Sequence, residues 1–205
     1  MNESDIDLGP RLERAGPRNA LRLGSVTADA FRDDPFNAWL FGNFAGIEHL
    51  FHLQARRIYS RRGYCYTAGD DGACMWMMPG GDGSFSRLDY LAFALPTLFK
   101  SGRDAVKRGI LTGKAMEARH PTFEHAYLFS IGVRQSARGR GLGRRLIQPV
   151  LDACDRTGTA AYLENSNVAN EGFYRSCGFE QLGEPIYPEP DSPPLVPMVR
   201  KPRSA

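Results

Sequence analysis

The sequence lacks most of the features that mark metal-binding and membrane proteins. Its four cysteines include no Cys-x-x-Cys pair and no histidine at ligand spacing, so we expect no metal site and reduced, buried thiols in a cytoplasmic protein. The acidic N-terminus has no apolar run and is not expected to be a signal peptide. The most apolar window, residues 88–99, is too short to span a bilayer.

Net charge is also small, and the basic residues are concentrated in one place. The 205 residues carry a formal charge of only +3, which does not by itself indicate a nucleic-acid partner. Arginines cluster within residues 134–145. A small anionic ligand explains such a local cluster better than a polyanion does. RNA binding through these arginines remains an alternative, but interleaved aromatic residues and broad basicity are missing.

A glycine–arginine loop lies between an apolar strand and a helix-forming segment. The loop consists of Arg138, Gly139, Arg140, Gly141, Leu142, Gly143 and Arg144. Free N–H groups and the helix dipole favour an anion at the start of a helix, and diphosphates are the common case. Glycines let the backbone approach such a ligand, and arginines add charge and forked donors. The loop therefore predicts a phosphate-binding site.

Two familiar nucleotide patterns do not fit this loop. A dinucleotide fingerprint needs a third glycine where Arg144 stands. A Walker loop needs Gly-Lys-Ser/Thr, and the chain has Gly143-Arg144-Arg145. A purely structural turn is also possible, although three glycines and four arginines in eight residues make it an unusual one.

What the loop does match is Arg/Gln-x-x-Gly-x-Gly/Ala, and it resembles the pyrophosphate signature of the GNAT family of N-acetyltransferases. Residues 163–179 resemble that family's later motif, Asn-x-x-(Phe)-Tyr-x-x-x-Gly-Phe, and the spacing between the two blocks also agrees. A weaker similarity, in residues 28–40 and 73–80, is to the branch that includes puromycin N-acetyltransferase. Gln135 departs from the proline that the family often has after the strand.

The resemblance implies a mixed, splayed sheet with acetyl-CoA as co-substrate between two central strands. The strands would part near a bulge at residues 131–133. Acetyl would pass directly to an amine, without a covalent acyl-enzyme. The pantetheine arm would pair with the backbone of Ile131 and Val133, the pyrophosphate would lie on residues 138–144, and Asn170 would bond the CoA arm. The implied cofactor-binding residues outside the loop are Ile131, Gly132, Val133, Asn170 and Phe173.

Two residues are candidates for catalysis. Tyr174 matches the family's general acid, which would protonate the leaving thiolate; the alternative is a packing tyrosine. Glu164 ends a strand beside the expected cleft and could be the base, hold the substrate ammonium, or serve as a structural acceptor. Glu124 and His125 are weaker candidates for the base. A chain of water molecules could also carry the proton, and placing the reactants together would supply much of the rate.

The order of elements predicts a single α/β (α+β) domain over residues 1–205, with residues 1–8 loosely held. We expect helices at 19–32 and 44–61, a hairpin at 64–68 and 73–78, and helices at 84–99 and 102–119. Pro96 should kink or end the first of the latter two. Residues 124–133 predict a central strand, with a bulge or close backbone approach at Gly132. Further helices are expected at 142–156 and 167–177, and further strands at 159–164, 179–182 and 196–200.

Together these features favour an acetyl-CoA-dependent N-acetyltransferase that acts on a primary amine of a small molecule. A protein amine as the acceptor and a non-catalytic CoA-binding module are the alternatives. We expect neither nucleic acid nor membrane as a partner, and a homodimer is left open.

Overall fold

The computed structural model describes residues 1–203, and its centre is a mixed sheet. Within these residues the sheet has seven strands in the order β1-β2-β3-β4-β5-β7-β6. The strands β4 and β5 are parallel, and the other neighbours are antiparallel. The bounds are β1 Glu13–Ala15, β2 Tyr64–Ala68, β3 Gly72–Met77, β4 His125–Val133, β5 Ala160–Asn165, β6 Glu180–Gln181 and β7 Val196–Arg200. The predicted mixed α/β architecture is confirmed, as is the central position of β4.

Helices cover both faces of this sheet. They are α1 Ala20–Ala30, α2 Pro35–Phe41, α3 Phe44–Gln54, α4 Ser60–Arg62, α5 Arg87–Arg119, α6 Leu142–Thr157 and α7 Glu171–Ser176. A π-helical segment, Ala55–Tyr59, joins α3 to α4. Local sequence sets several ends: Asp34 caps α2 by accepting from the Asn37 N–H, and Gly178, with φ 92°, follows α7.

The two faces of the sheet have separate hydrophobic cores. One core packs α1, α2 and α3 against residues such as Met75, and the other packs α6 and α7 against Tyr66 and Trp76. In the second core the Trp76 indole N–H donates to the Tyr66 hydroxyl, which donates to the Leu146 carbonyl at 2.6 Å. These bonds give hydrogen-bond partners to polar atoms that are buried away from water.

The long helix α5 is interrupted at a residue other than its proline. Its backbone leaves the helical region at Gly102, with φ 87° and ψ 178°, as the predicted break between two helices requires. Of the two outcomes expected for Pro96, a kink or an end, the end is contradicted, because the helix continues through this residue. The fixed φ of proline is compatible with helix, whereas a φ of 87° favours glycine.

The bulge in β4 lies earlier than the predicted residues 131–133. Met75 pairs with Ser130 and Trp76 with Leu128, so Phe129 is the extra residue. For Gly132 the alternative prediction, a close backbone approach, is confirmed. A Cβ at this residue would lie 2.9 Å from the Cβ of Ala30 on α1. Because α1 packs so closely against β4 at this point, there is no room for a side chain at residue 132.

The two parallel strands separate as predicted. Their pairing joins His125–Tyr127 of β4 to Ala160–Tyr162 of β5. From Leu163 onward β5 continues its pairing with β7, while β4 continues along β3 to Val133. The opening between them begins next to the Phe129 bulge.

Two remaining expectations concern the N-terminus and membranes. Residues 1–8, expected to be loosely held, include a 3-10 turn at Glu3–Asp5, and Ile6 packs into the second core. Among residues 1–203, no helix is both long and apolar enough to cross a bilayer. All four cysteines are unpaired and buried, as expected.

Candidate active site

The opening between β4 and β5 leads into two cavities that meet. The large cavity has a volume of about 1030 Å³ and lies among α2, α3, α5, the first part of β4 and the C-terminal end of β5. The loop cavity has about 480 Å³ and lies against the glycine–arginine loop. Three residues line both cavities: Phe31, Asn170 and Tyr174. Groups bound in the two cavities would therefore meet at Tyr174.

The loop cavity collects nearly all of the residues predicted to bind the cofactor. Its lining includes Ile131, Gly132, Val133, Arg138, Gly139, Gly141, Leu142, Gly143, Arg144, Asn170 and Phe173. Arg140 was also predicted to bind the cofactor, but it is exposed on the loop and does not line this cavity. Gly139 and Gly141 have φ values of 78° and 72°, which turn the chain into the start of α6.

Two of the arginines hold the loop in place. Arg138 donates to the Ala30 carbonyl at the end of α1, at 2.7 Å. Arg144 donates to the carbonyl and the hydroxyl of Ser176 on α7, at 3.0 and 2.8 Å. Each guanidinium has five N–H donors, so these bonds leave donors and the full positive charge beside the cavity. The loop is thus both braced and basic.

Tyr174 lies on α7 at the junction of the cavities. Its side chain is largely buried, with the rings of Phe173 and Phe179 5.3 and 6.0 Å away. Burial raises the pKa of its phenol, so the group keeps its proton at neutral pH. Asn170 precedes the same helix at the end of a 3-10 turn. A tyrosine that keeps its proton at neutral pH therefore lines both cavities.

Asp34 ties the two sides of the cleft together. One carboxylate oxygen accepts from the backbone N–H and side-chain amide of Asn37, and the other accepts from the Ser166 hydroxyl at 2.7 Å. Burial raises the pKa of Asp34 despite these bonds. The sequence analysis missed this residue as a site component, although Asp33-Asp34-Pro35 marks a helix start.

Glu164 lies in the floor of the large cavity. Only 2% of its side chain is exposed, and its Oε1 atom has no hydrogen-bond partner among residues 1–203. The nearest cation-forming group is Nδ1 of His120, 3.7 Å away. Tyr127 lines this cavity, and its ring stacks on that of Tyr162 with the centroids 5.9 Å apart. Burial first, and then the Glu164 charge, raise the pKa values of both phenols.

A pair of histidines lies next to Glu164. The two Nε2 atoms of His120 and His125 are 3.1 Å apart, and Nδ1 of His125 is 2.8 Å from the Phe123 carbonyl. Burial lowers the pKa of His125, which favours its neutral form. His125 and Glu124, the weaker candidates from the sequence, both line the large cavity. His120 was missed, because it ends α5 and becomes a neighbour only when that helix packs over the sheet.

Comparisons with known proteins agree with this geometry. The model of the acetyltransferase (GNAT) family matches residues 105–179, which include the loop, Glu164 and Tyr174. An uncharacterized N-acetyltransferase of Schizosaccharomyces pombe is 28% identical over 94% of this chain and 83% of its own length. The N-alpha-acetyltransferase RimI of Mycobacterium tuberculosis is 42% identical over 32% of this chain and 40% of its own.

A solved structure extends the likeness to the whole fold. The structure titled histone acetyltransferase HPA2 and related acetyltransferase, from Corynebacterium glutamicum, has a TM-score of 0.67 and 25% identity. The match covers 96% of this chain and 98% of that one. Together with the family model, these similarities to N-acetyltransferases support an acyltransferase enzyme.

Proposed function

We propose that this protein transfers acetyl from acetyl-CoA directly to a primary amine of a small molecule. The observation that carries the proposal is the junction at Tyr174 of a basic, glycine-lined cavity and a larger one whose lining includes many aromatic side chains. Direct transfer between two bound reactants needs two sites that meet at the reacting atoms. The carboxylate of Glu164 adds a place for the amine in the second site.

The loop cavity suits coenzyme A by its chemistry. Free N–H groups at the start of α6, together with Arg138 and Arg144, would hold the pyrophosphate. The backbone of Ile131 and Val133 would hold the pantetheine arm, with Asn170 and Phe173 opposite. Acetyl-CoA supplies the acetyl group as a thioester when it is bound. The residues of the chain then have to orient the amine, accept a proton from its ammonium form and donate a proton to the leaving thiolate.

Tyr174 is the proposed general acid. A phenol whose pKa is raised by burial remains protonated at neutral pH and can give its proton to the thiolate that leaves. Tyr174 lines both cavities, which supports a place for its hydroxyl near the leaving sulfur. Its substitution should reduce the chemical step while leaving binding in the loop cavity intact.

The shape of the large cavity favours a small molecule over a protein amine. Phe36 of α2 and Tyr90 of α5 line its walls and give the pocket an aromatic surface. The weak sequence similarity to the puromycin N-acetyltransferase branch supports the same choice. Peptide N-termini are the second candidate, because RimI is named for α-amino acetylation. A panel with both amine classes separates the two.

A thermal shift with acetyl-CoA tests the donor assignment. At one hundred times the dissociation constant a ligand stabilises the native state by about 2.7 kcal/mol. For a domain of this length that corresponds to a rise in Tm of roughly 5–10 °C. No rise at saturating acetyl-CoA would overturn the assignment.

Two neighbouring arginines provide a matched comparison for the same measurement. Arg144 lines the loop cavity, whereas Arg145 is exposed. We expect Arg144→Gln to weaken acetyl-CoA binding about tenfold, because a charge-assisted bond to the pyrophosphate is lost. Arg145→Gln should leave the affinity within about twofold. Equal effects would indicate a diffuse charge effect instead of a specific contact.

A further inference from the structure

The hydrogen bonds around His120 fix where its protons lie. The Phe123 carbonyl can only accept, so His125 carries its proton on Nδ1 and, when neutral, offers a lone pair on Nε2. The proton between the two Nε2 atoms, 3.1 Å apart, must then belong to His120. Neutral His120 therefore has a free lone pair on Nδ1, the atom 3.7 Å from Glu164 Oε1.

This arrangement is incomplete without a cation or a proton. A lone pair on Nδ1 and a carboxylate oxygen face each other, and both are acceptors. Glu164 Oε1 has no hydrogen-bond partner among the described residues although only 2% of its side chain is exposed, and a buried polar oxygen without a partner is costly. A group that carries N–H donors and a positive charge would satisfy both atoms at once.

We propose that His120 is the general base of the transfer reaction, that Glu164 is the anchor for the acceptor's ammonium group, and that the acceptor is an aliphatic amine that is protonated at neutral pH. This inference rests on the proposed function and adds to it the base and the chemical class of the acceptor. The proposed site consists of Glu164 and His120, with His125 as the residue that sets the tautomer of His120.

The proton balance of the step is simple. One proton moves from the ammonium nitrogen to Nδ1 of His120, which leaves a neutral amine and an imidazolium beside Glu164. The amine nitrogen then forms a bond to the acetyl carbon as the bond from that carbon to the CoA sulfur breaks. The sulfur takes the Tyr174 proton, and the proton lost by the new amide nitrogen returns through solvent to the Tyr174 phenolate.

Charge conservation limits the cost of the first transfer in this site, although an alkylammonium is a weaker acid than an imidazolium. Before and after it, one positive charge is paired with the same buried carboxylate, so no isolated charge is created in a region of low dielectric. His120 also ends α5, where the helix dipole favours a positive charge. Because 38% of its side chain is exposed, His120 can afterwards release the proton to solvent.

Other groups around the pair agree with a cationic acceptor. The His120 ring packs edge-on against Tyr127 and Tyr162, at 5.1 and 5.2 Å, and both phenols are neutral at physiological pH. Their ring faces can contribute cation–π attraction. The remaining acidic groups that line this cavity are Asp82, Glu117 and Glu124, which are exposed and add negative potential.

The decisive experiment compares His120→Gln with the wild type across pH. At pH 7 we expect kcat/KM for an alkylamine to fall about 100-fold, because general-base catalysis is lost. The deficit should shrink towards pH 9, because a rise of two pH units increases the free fraction of an amine with pKa near 10.4 about 100-fold. A loss below about threefold at pH 7, or a deficit that does not change with pH, would overturn the role of His120.

Controls separate folding and the proposed function from this inference. His49→Gln changes a half-buried histidine outside the cavity and should keep wild-type kinetics. The rise in Tm with acetyl-CoA should persist in His120→Gln, which shows that the variant is folded and binds the donor. If the wild type itself shows no such rise, the proposed function fails; if the wild type turns over and His120→Gln matches it, only the inference fails.

Two further measurements address the acceptor class and the tautomer. A primary alkylamine should be preferred over an aniline of similar size by more than tenfold, and equal rates for both amines would contradict the ammonium anchor. The Glu164→Gln variant should raise the KM of the alkylamine. Nitrogen chemical shifts of the free wild-type protein should assign the proton of neutral His120 to Nε2. A proton on Nδ1 would contradict the base without any need for activity.

Discussion

Tyr127 of β4 lies directly opposite Tyr162 of β5 at the end of the parallel pairing, and their rings stack at 5.9 Å with an interplanar angle of 30°. Two residues after Tyr162, Glu164 lies in the floor of the large cavity. The stacked pair thus closes the joined part of the sheet, and the opening beyond it is where both cavities begin. A single strand register fixes the aromatic lining and the carboxylate together.

The opening also depends on how closely α1 approaches β4. A Cβ at Gly132 would lie 2.9 Å from Ala30 Cβ and 3.4 Å from Thr27 Cα. We expect Gly132→Ala to lower the free energy of unfolding by about 1–3 kcal/mol, because α1 has to move outward. Urea unfolding measures this loss.

Gly113 is the matched control for that substitution. It lies inside α5, and an added Cβ there meets nothing within 4 Å. Gly113→Ala should therefore stabilise the protein by about 0.5–1 kcal/mol through helix propensity. If both alanine variants changed stability in the same direction, the close approach at Gly132 would not be the cause.

Substitution of the proposed acid should affect catalysis far more than stability. Tyr174→Phe keeps the ring and its packing, so we expect kcat to fall about 100-fold with little change in the KM of acetyl-CoA. Tyr187→Phe removes a hydroxyl from a tyrosine that is 55% exposed and should have no effect. Unchanged kcat in Tyr174→Phe would leave Tyr174 as a packing residue.

A buried ion pair outside the site should dominate stability at the far end of α6. Arg200 is almost fully buried and donates two parallel bonds to Asp155, at 2.7 and 2.6 Å. Asp155→Asn should cost about 3 kcal/mol, because it leaves the buried guanidinium unpaired. Glu171→Gln, which disrupts an exposed pair with Arg175, should cost at most about 0.5 kcal/mol. Similar losses in chemical denaturation would refute this difference.

The half-buried histidines predict how stability depends on pH. Burial lowers the pKa values of His49, His52 and His125 below the ordinary 6.5, so the unfolded chain takes up protons first as pH falls. Their contribution is present above pH 6.5 and is lost as pH falls through the folded pKa values. The unfolding free energy should drop between pH 7.5 and 5.5, and the drop should be smaller in His49→Gln. A flat profile would contradict this account.

Much of the architecture could be predicted from the sequence, because period-2 and helical patterns are local. The hairpin at Gly72, the central strand ending at Val133 and the glycine after α7 follow from such patterns. The bulge could not be located, because it depends on the register between Trp76 and Leu128, which no local pattern records.

The site divides in the same way. The loop is contiguous in sequence, so the order of its glycines and arginines is enough to indicate the class of its ligand. Asp34, His120 and Glu164 come from three distant segments, and they line the two joined cavities only when α2 and α5 pack over the sheet. Their chemistry depends on burial and on distances of a few ångströms.

Release of thiol from acetyl-CoA, followed with and without a primary alkylamine, tests the central claim most directly. The account predicts release that requires the amine, saturates in both reactants, and falls about 100-fold in Tyr174→Phe. If no amine in a panel of alkylamines and peptide N-termini stimulated release above the rate with acetyl-CoA alone, transfer at the junction of the two cavities would be contradicted.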